Sequence, residues 1–245
     1  ATIISQFFSF LWVTSYFIGK HSRNKLKIEY LKLKLNLTGK ITSLGLPGFS
    51  LQLATSALNA ILNKNLVLYG GDIDISGMGV INSIQTLLIM PIIGLNQGVQ
   101  PIISFNYGAK NTERVKDAAK LAIKAATLIV TFGFIITRLF PVQLISLFNR
   151  DTELINFGKS AIFAWFLCFP VVGFQIVGSN FFQAIGRPKS AMLLTLTRQL
   201  ILLTPAIIIF PRIWGVQGIL YAAPFADFLS FLLTATFFYL GIRKL

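Results

Sequence analysis

Gly94-Leu-Asn-Gln-Gly-Val-Gln-Pro-Ile-Ile-Ser-Phe-Asn-Tyr-Gly-Ala-Lys110 closes the long apolar run 75–106, and it places Asn96, Gln97, Gln100, Ser104 and Asn106 on an apolar framework. Amides are costly in hydrocarbon unless they find partners or water. The stretch therefore reads as the end of a membrane helix that faces a protein interior or a wet cavity. It is the first place to look for a transport path.

The rest of the chain is of the same class. Hydrophobic residues make up 54% of its 245 residues and the mean hydropathy is +0.71, which is rare for a soluble domain of this size. A membrane helix takes roughly 20 apolar residues. Seven runs qualify, at about 2–19, 43–69, 75–106, 118–138, 154–183, 190–210 and 216–241. The third and fifth are long and contain Gly or Pro, which predicts bends or breaks in them.

The net charge of +14 is distributed in alternate loops. Residues 20–40 hold seven Lys or Arg and residues 107–124 hold five. The 184–190 turn adds Arg187 and Lys189, and the C-terminus adds Arg243 and Lys244. The loops between them, 70–74, 139–153 and 211–215, carry Arg150 and Arg212 as their only bases. This is the positive-inside pattern, with residue 1 outside and the 20–40 loop and C-terminus in the cytoplasm. The excess charge orients helices and touches anionic lipid rather than nucleic acid. Cys168 is the single cysteine, so no intrachain disulfide is possible, and the single His21 in a basic loop reads as solvated. No initiating Met, basic n-region or small-residue cleavage site opens the chain. The expectation is a piece of a longer protein, or one lacking its true start.

One boundary stands out at 20–41, polar, basic and flanked by spans. Leu26–Leu37 alternates apolar and polar residues partly at period two. It reads either as a strand or as an interfacial segment with its leucines in the headgroup layer. The linker separates one orphan span from a block of six. After the fifth span, Gly186 can end a helix and Pro188 can start the next. Asn111 or Thr112 can cap the basic stretch that enters the fourth.

At about 100° per residue, Gln52, Thr55, Ser56, Asn59 and Asn63 share a narrow arc of the second span. Asn82, Gln85, Thr86, Asn96, Gln97, Gln100 and Ser104 share one side of the third. Two readings are open: a water-lined cavity, or amides bonded across a tight helix interface. Gly94 and Gly98 form a GxxxG, which predicts close packing on a neighbour. Arg198 lies roughly 12 Å into the sixth span at about 1.5 Å per residue. Asp227 lies near the middle of the seventh, with Ser230 and Thr234 on its face. Antiparallel neighbours could bring the two charges together, as a functional site or as a structural ion pair that sets helix register. Lys64, Arg138 and Lys159 sit near span ends and read as snorkelling. No catalytic, metal-ligating or nucleotide-binding constellation is present, so the chain does not read as an enzyme or a self-contained ATP-driven pump.

Several of these stretches resemble one family. Gly94–Lys110 followed by Asn111-Thr-Glu-Arg-Val-Lys116 is similar to a segment of multidrug and toxic compound extrusion (MATE) transporters. So are Phe182-Gln-Ala-Ile-Gly-Arg-Pro-Lys-Ser190, Arg198–Pro205, and Gly215-Val-Gln-Gly-Ile219 with Ala226-Asp227. Gly45-Leu-Pro-Gly-Phe-Ser-Leu-Gln52 resembles the entry of the family's seventh helix, closest to the bacterial MepA-like subgroup. The resemblance implies an all-α polytopic membrane bundle: the second six-helix lobe, 42–245, preceded by the linker 20–41 and by 1–19 as the last helix of a missing first lobe. It implies a multi-pass protein of the bacterial plasma membrane, exporting cationic or amphipathic small molecules in exchange for Na⁺ or H⁺. Partners would be lipid, the first lobe and the substrate, with no cofactor and no nucleic acid. The cavity would be lined by Gln52, Thr55, Asn59, Asn96, Gln97, Gln100 and Ser104, with Arg198 and Asp227 as an intramembrane pair. Some members hold the coupling ion on an acid of the seventh helix, and here that helix has no Asp or Glu. Two other readings remain: a lipid-linked oligosaccharide flippase of the same superfamily, whose cavity would be rich in Arg and Lys, and a non-transporting scaffold or channel subunit.

Overall fold

The structure, a computed structural model, describes residues 2–19 and 35–243. His21 and most of the basic linker lie outside the described residues. Every described element is helical. Two compact units make up the chain, Ala1–Leu46 and Pro47–Leu245. The first contains α1 (Thr2–Ile18), an apolar helix whose Phe7, Phe8 and Trp12 are exposed, and the first turns of α2 (Leu35–Tyr69). Residues 35–41, read from sequence as linker, are thus helical and continuous with the next span. Of the alternating stretch 26–37, only 35–37 are described, and they are helix rather than strand.

The second unit continues with α3 (Asp72–Gly108), α4 (Thr112–Leu139), a short α5 (Pro141–Ser146), α6 (Thr152–Trp165) and α7 (Phe169–Ala184). It closes with α8 (Pro188–Leu196), a π-helical segment (Thr197–Leu203), α9 (Thr204–Ile209), α10 (Pro211–Trp214) and α11 (Val216–Arg243). Among the described residues, α3, α4, the composite Pro188–Trp214 and α11 are long and apolar enough to cross a membrane. The pair α6 and α7, bent by 54°, makes a fifth when taken as one broken span. By length and apolarity alone the described residues give four spans, or five with the bent pair, and two of the seven runs expected from sequence fall outside that criterion. α1 has 17 residues, and α2 is diluted by Gln52, Ser56, Asn59, Asn63 and Lys64.

The elements begin and end where local chemistry dictates. Asn111 Oδ1 accepts the N–H of Arg114 and caps α4. Asp151 accepts from the N–H of Glu153 at 2.8 Å and caps α6. Gly186, at φ +74°, takes the left-handed turn after α7, and Pro188 opens α8 in its first turn. The fifth run breaks at residues 166–168, ahead of Pro170. The third does not break: α3 runs as one helix through Pro91 and Pro101. Each proline removes one backbone bond, and a long helix packed along one side tolerates that.

The core is a helix bundle. Ile81, Ala126, Ile162, Phe166, Val177, Ile207 and Ala223 belong to one buried cluster that spans α3, α4, α6, α7, α9 and α11. A second cluster, with Ile103, Val115, Phe181, Leu194 and Phe238, lies toward the ends joined by the basic turns. α7 is central because it presents glycine where α4 comes closest. A Cβ on Gly173 would lie 2.8 Å from the carbonyl oxygen of Ala126. The GxxxG of α3 does no such work among the described residues, where a Cβ on Gly94 or Gly98 would meet nothing within 4 Å.

Candidate functional site: a polar belt through the bundle

The belt starts at the π-helical segment. Pro205 has no N–H for the carbonyl four residues back, and its ring crowds that carbonyl in a regular helix. The turn directly upstream is widened instead. The N–H and the hydroxyl of Thr204 both bond to the Gln199 carbonyl five residues back, the hydroxyl at 2.8 Å. Wide turns of this kind recur at functional sites.

From this turn Arg198 and Gln199 reach different neighbours. Arg198 Nε donates to Asp227 Oδ1 of α11 at 2.7 Å, and its Nη2 lies 2.6 Å from the same oxygen. It is the one ion pair among the described residues, with the Asp227 side chain 6% exposed. Gln199 Nε2 donates to Thr55 Oγ1 of α2 at 2.9 Å, and Thr55 in turn donates to the Leu51 carbonyl. One turn beyond Asp227, buried Ser230 accepts a hydrogen bond from Gln175 Nε2 of α7. α2, the π segment, α11 and α7 are thus tied by side-chain bonds across an otherwise apolar bundle. Gln175 Oε1 and Thr234 Oγ1 are buried along this belt without a hydrogen-bond partner among the described residues. Beside it, Leu51, Ser179, Asn180, Gln183 and Thr195 line a cavity of about 160 Å³ between α2, α7 and α8.

The amide stripes divide into two populations. Gln85 Oε1 accepts the indole N–H of Trp165 at 2.8 Å, joining α3 to α6. Ser104 donates to the Ala184 carbonyl at the end of α7 at 2.9 Å. With Thr55, these side chains bridge helices. Gln52, Ser56, Asn59 and Asn63 on α2, and Asn82, Thr86 and Gln97 on α3, are exposed, and Gln100 is half-buried. Asn96 is buried, and its Nδ2 has no acceptor among the described residues. The structure therefore places Thr55, Arg198 and Asp227 on one belt and leaves Gln52, Asn59 and Gln97 on open helix faces. Sequence reasoning passed over Gln175, Ser179, Asn180, Gln183 and Gln199. The first, second and fourth recur every four residues along the fifth run, a helical stripe legible in the sequence. Among the described residues, no three His, Cys, Asp or Glu side chains gather as a metal site.

A family model described as MatE matches residues 42–208. The Staphylococcus aureus protein named Multidrug export protein MepA is 23% identical over 239 residues, which is 98% of this chain and 52% of the relative. A Shewanella oneidensis protein named FAD transporter is 25% identical over 193 residues, covering 78% of this chain and 42% of the relative. Among solved structures, the MATE multidrug transporter DinF-BH is 35% identical with a TM-score of 0.82, over 97% of this chain and 53% of that one. A MOP superfamily transporter from Pyrococcus furiosus shares the fold, with 22% identity and a TM-score of 0.85 over 99% of this chain and 55% of that one. The chain spans about half the length of the curated relatives it matches.

Proposed function

The chain belongs to the MatE family, and from that premise we propose that it is the second lobe of a secondary antiporter exporting cationic or amphipathic small molecules. The family is one of transporters and not of enzymes, and the chain is a multi-pass membrane protein. One observation carries the reading: Gln52 and Asn59 of α2 and Gln97 of α3 are exposed on helices of an apolar bundle. Lipid would leave those amides unsatisfied, so their faces need water or protein against them. A wet cavity between this lobe and a first one meets that need. Gln52, Thr55, Asn59, Asn96, Gln97, Gln100 and Ser104 are its proposed lining.

The amides are neutral, which suits a cationic or amphipathic solute better than a pyrophosphate-linked sugar and ranks the flippase reading lower. The carrier needs no resident cofactor. Its counter-ion is Na⁺ or H⁺, and no acid of α2 is available to hold it. The alternation of basic loops supports a cytoplasmic linker and C-terminus, and the membrane in this reading is a bacterial plasma membrane. Gln100→Leu in the complete transporter tests the reading. Export of cationic dyes should fall while membrane abundance stays near that of the unmodified protein. Unchanged export, or loss of the folded protein, would favour a packing role for the amide.

A further inference from the structure

The end of the bundle opposite the basic turns carries a second feature, independent of the transport reading. Arg138, in the last turn of α4, has its guanidinium carbon 4.7 Å from the ring centroids of both Phe134 and Phe163. The two rings hold the cation in place, yet its Nη2 is buried and meets no acceptor among the described residues. A charged donor in that state lacks its strongest class of partner. Arg138 lines a cavity of about 370 Å³ together with Ser160 of α6 and Gln217 and Tyr221 of α11. Gln217 and Tyr221 also line a larger neighbouring cleft of about 640 Å³, whose other walls are Phe210, Trp214 and Phe225. A compartment that holds this unmatched cation among polar and apolar side chains, Phe163 and Leu220 included, thus adjoins an aromatic one. Trp214 and Tyr221 are exposed at a helix end, the position where amphipathic rings meet lipid headgroups.

We propose that these adjoining cavities are a binding site for an anionic phospholipid of the surrounding leaflet. The phosphate accepts from Arg138, and the upper acyl chain lies against Phe210, Trp214 and Phe225. A free phosphate would satisfy the arginine but would leave the aromatic cleft unused. A neutral lipid would fill the cleft without a net negative charge for the guanidinium.

Quenching of tryptophan fluorescence by brominated lipids tests this in the complete polypeptide, reconstituted in phosphatidylcholine vesicles. The part of the quenching that vanishes in Trp214→Phe reports on the cleft alone. Brominated phosphatidylglycerol should quench that part at a several-fold lower mole fraction than brominated phosphatidylcholine. Arg138→Gln should make the two lipids equal, Arg138→Lys should keep much of the preference, and Arg212→Gln on α10 should leave it unchanged. Equal quenching by the two lipids in the unmodified protein overturns the proposal, even where Arg138→Gln does not insert. So does a preference that survives Arg138→Gln, or one that Arg212→Gln removes equally, which marks diffuse attraction. Loss of the preference on adding inorganic phosphate identifies a small free anion as the ligand and overturns it too.

Discussion

Asp227 and Arg198 sit where each charge depends on the other. Asp227 is buried near the middle of α11, and Arg198 is only 21% exposed and gives both of its close contacts to a single carboxylate oxygen. Removing one partner of a buried pair leaves an uncompensated charge, at a cost of roughly 3–5 kcal/mol. Asp227→Asn should therefore lower membrane abundance and thermal stability, and adding Arg198→Gln should restore most of the loss. A normally abundant Asp227→Asn protein that has lost coupled export would instead make the carboxylate a proton carrier. The pair was legible in the sequence only as two charges at compatible depth. Which side chain Arg198 met depended on the rotation of its helix, and Arg198 lies at the start of the wide turns before Pro205.

At the scale of elements, the bundle is organised by where backbones approach. α4 and α7 touch at Gly173, where an added Cβ would lie 2.8 Å from a carbonyl oxygen and 2.9 Å from Val130 Cγ2. The carbonyl belongs to a helix and cannot swing aside. Gly173→Ala should cost about 1–3 kcal/mol of stability through forced separation of the two helices. Gly98→Ala, which meets nothing within 4 Å among the described residues, should change it by less than about 0.5 kcal/mol. Thermal denaturation of both variants in detergent checks the contrast, and equal losses would contradict the assigned contacts. GxxxG spacing told nothing about which glycines are crowded, because crowding is a property of the neighbouring helix. Helix ends were more transparent. The Asn111 cap and the Gly186–Pro188 turn follow from side-chain and backbone preferences confined to a few residues.

For the whole molecule, the family places this chain among transporters, and it spans about half the length of its relatives. Alternating access moves one repeat or bundle against another. On the proposal that this chain is one lobe of a two-lobed transporter, it has nothing to move against, so vesicles containing only this chain should show no dye efflux above protein-free vesicles. Adding a complementary first lobe should restore it. Efflux by this chain alone would require a different architecture, such as pairing of two identical lobes.

Composition and periodicity alone determined the membrane class, the helical content and the alternation of basic loops. Each of these is a sum over many residues or a preference within one turn, and single exceptions do not disturb them. Tertiary structure decided which amides are satisfied. Gln85 finds Trp165 across 80 residues and Gln199 finds Thr55 across 144, while Asn59 and Gln97, on the helices of Thr55 and Gln85, stay on open faces. It also decided that the fifth run breaks and the third does not, although both carry proline. The physical reason is common to these cases. A hydrogen bond or a kink inside hydrocarbon is settled by what the adjacent helix presents at that height, and a one-dimensional pattern does not contain that neighbour.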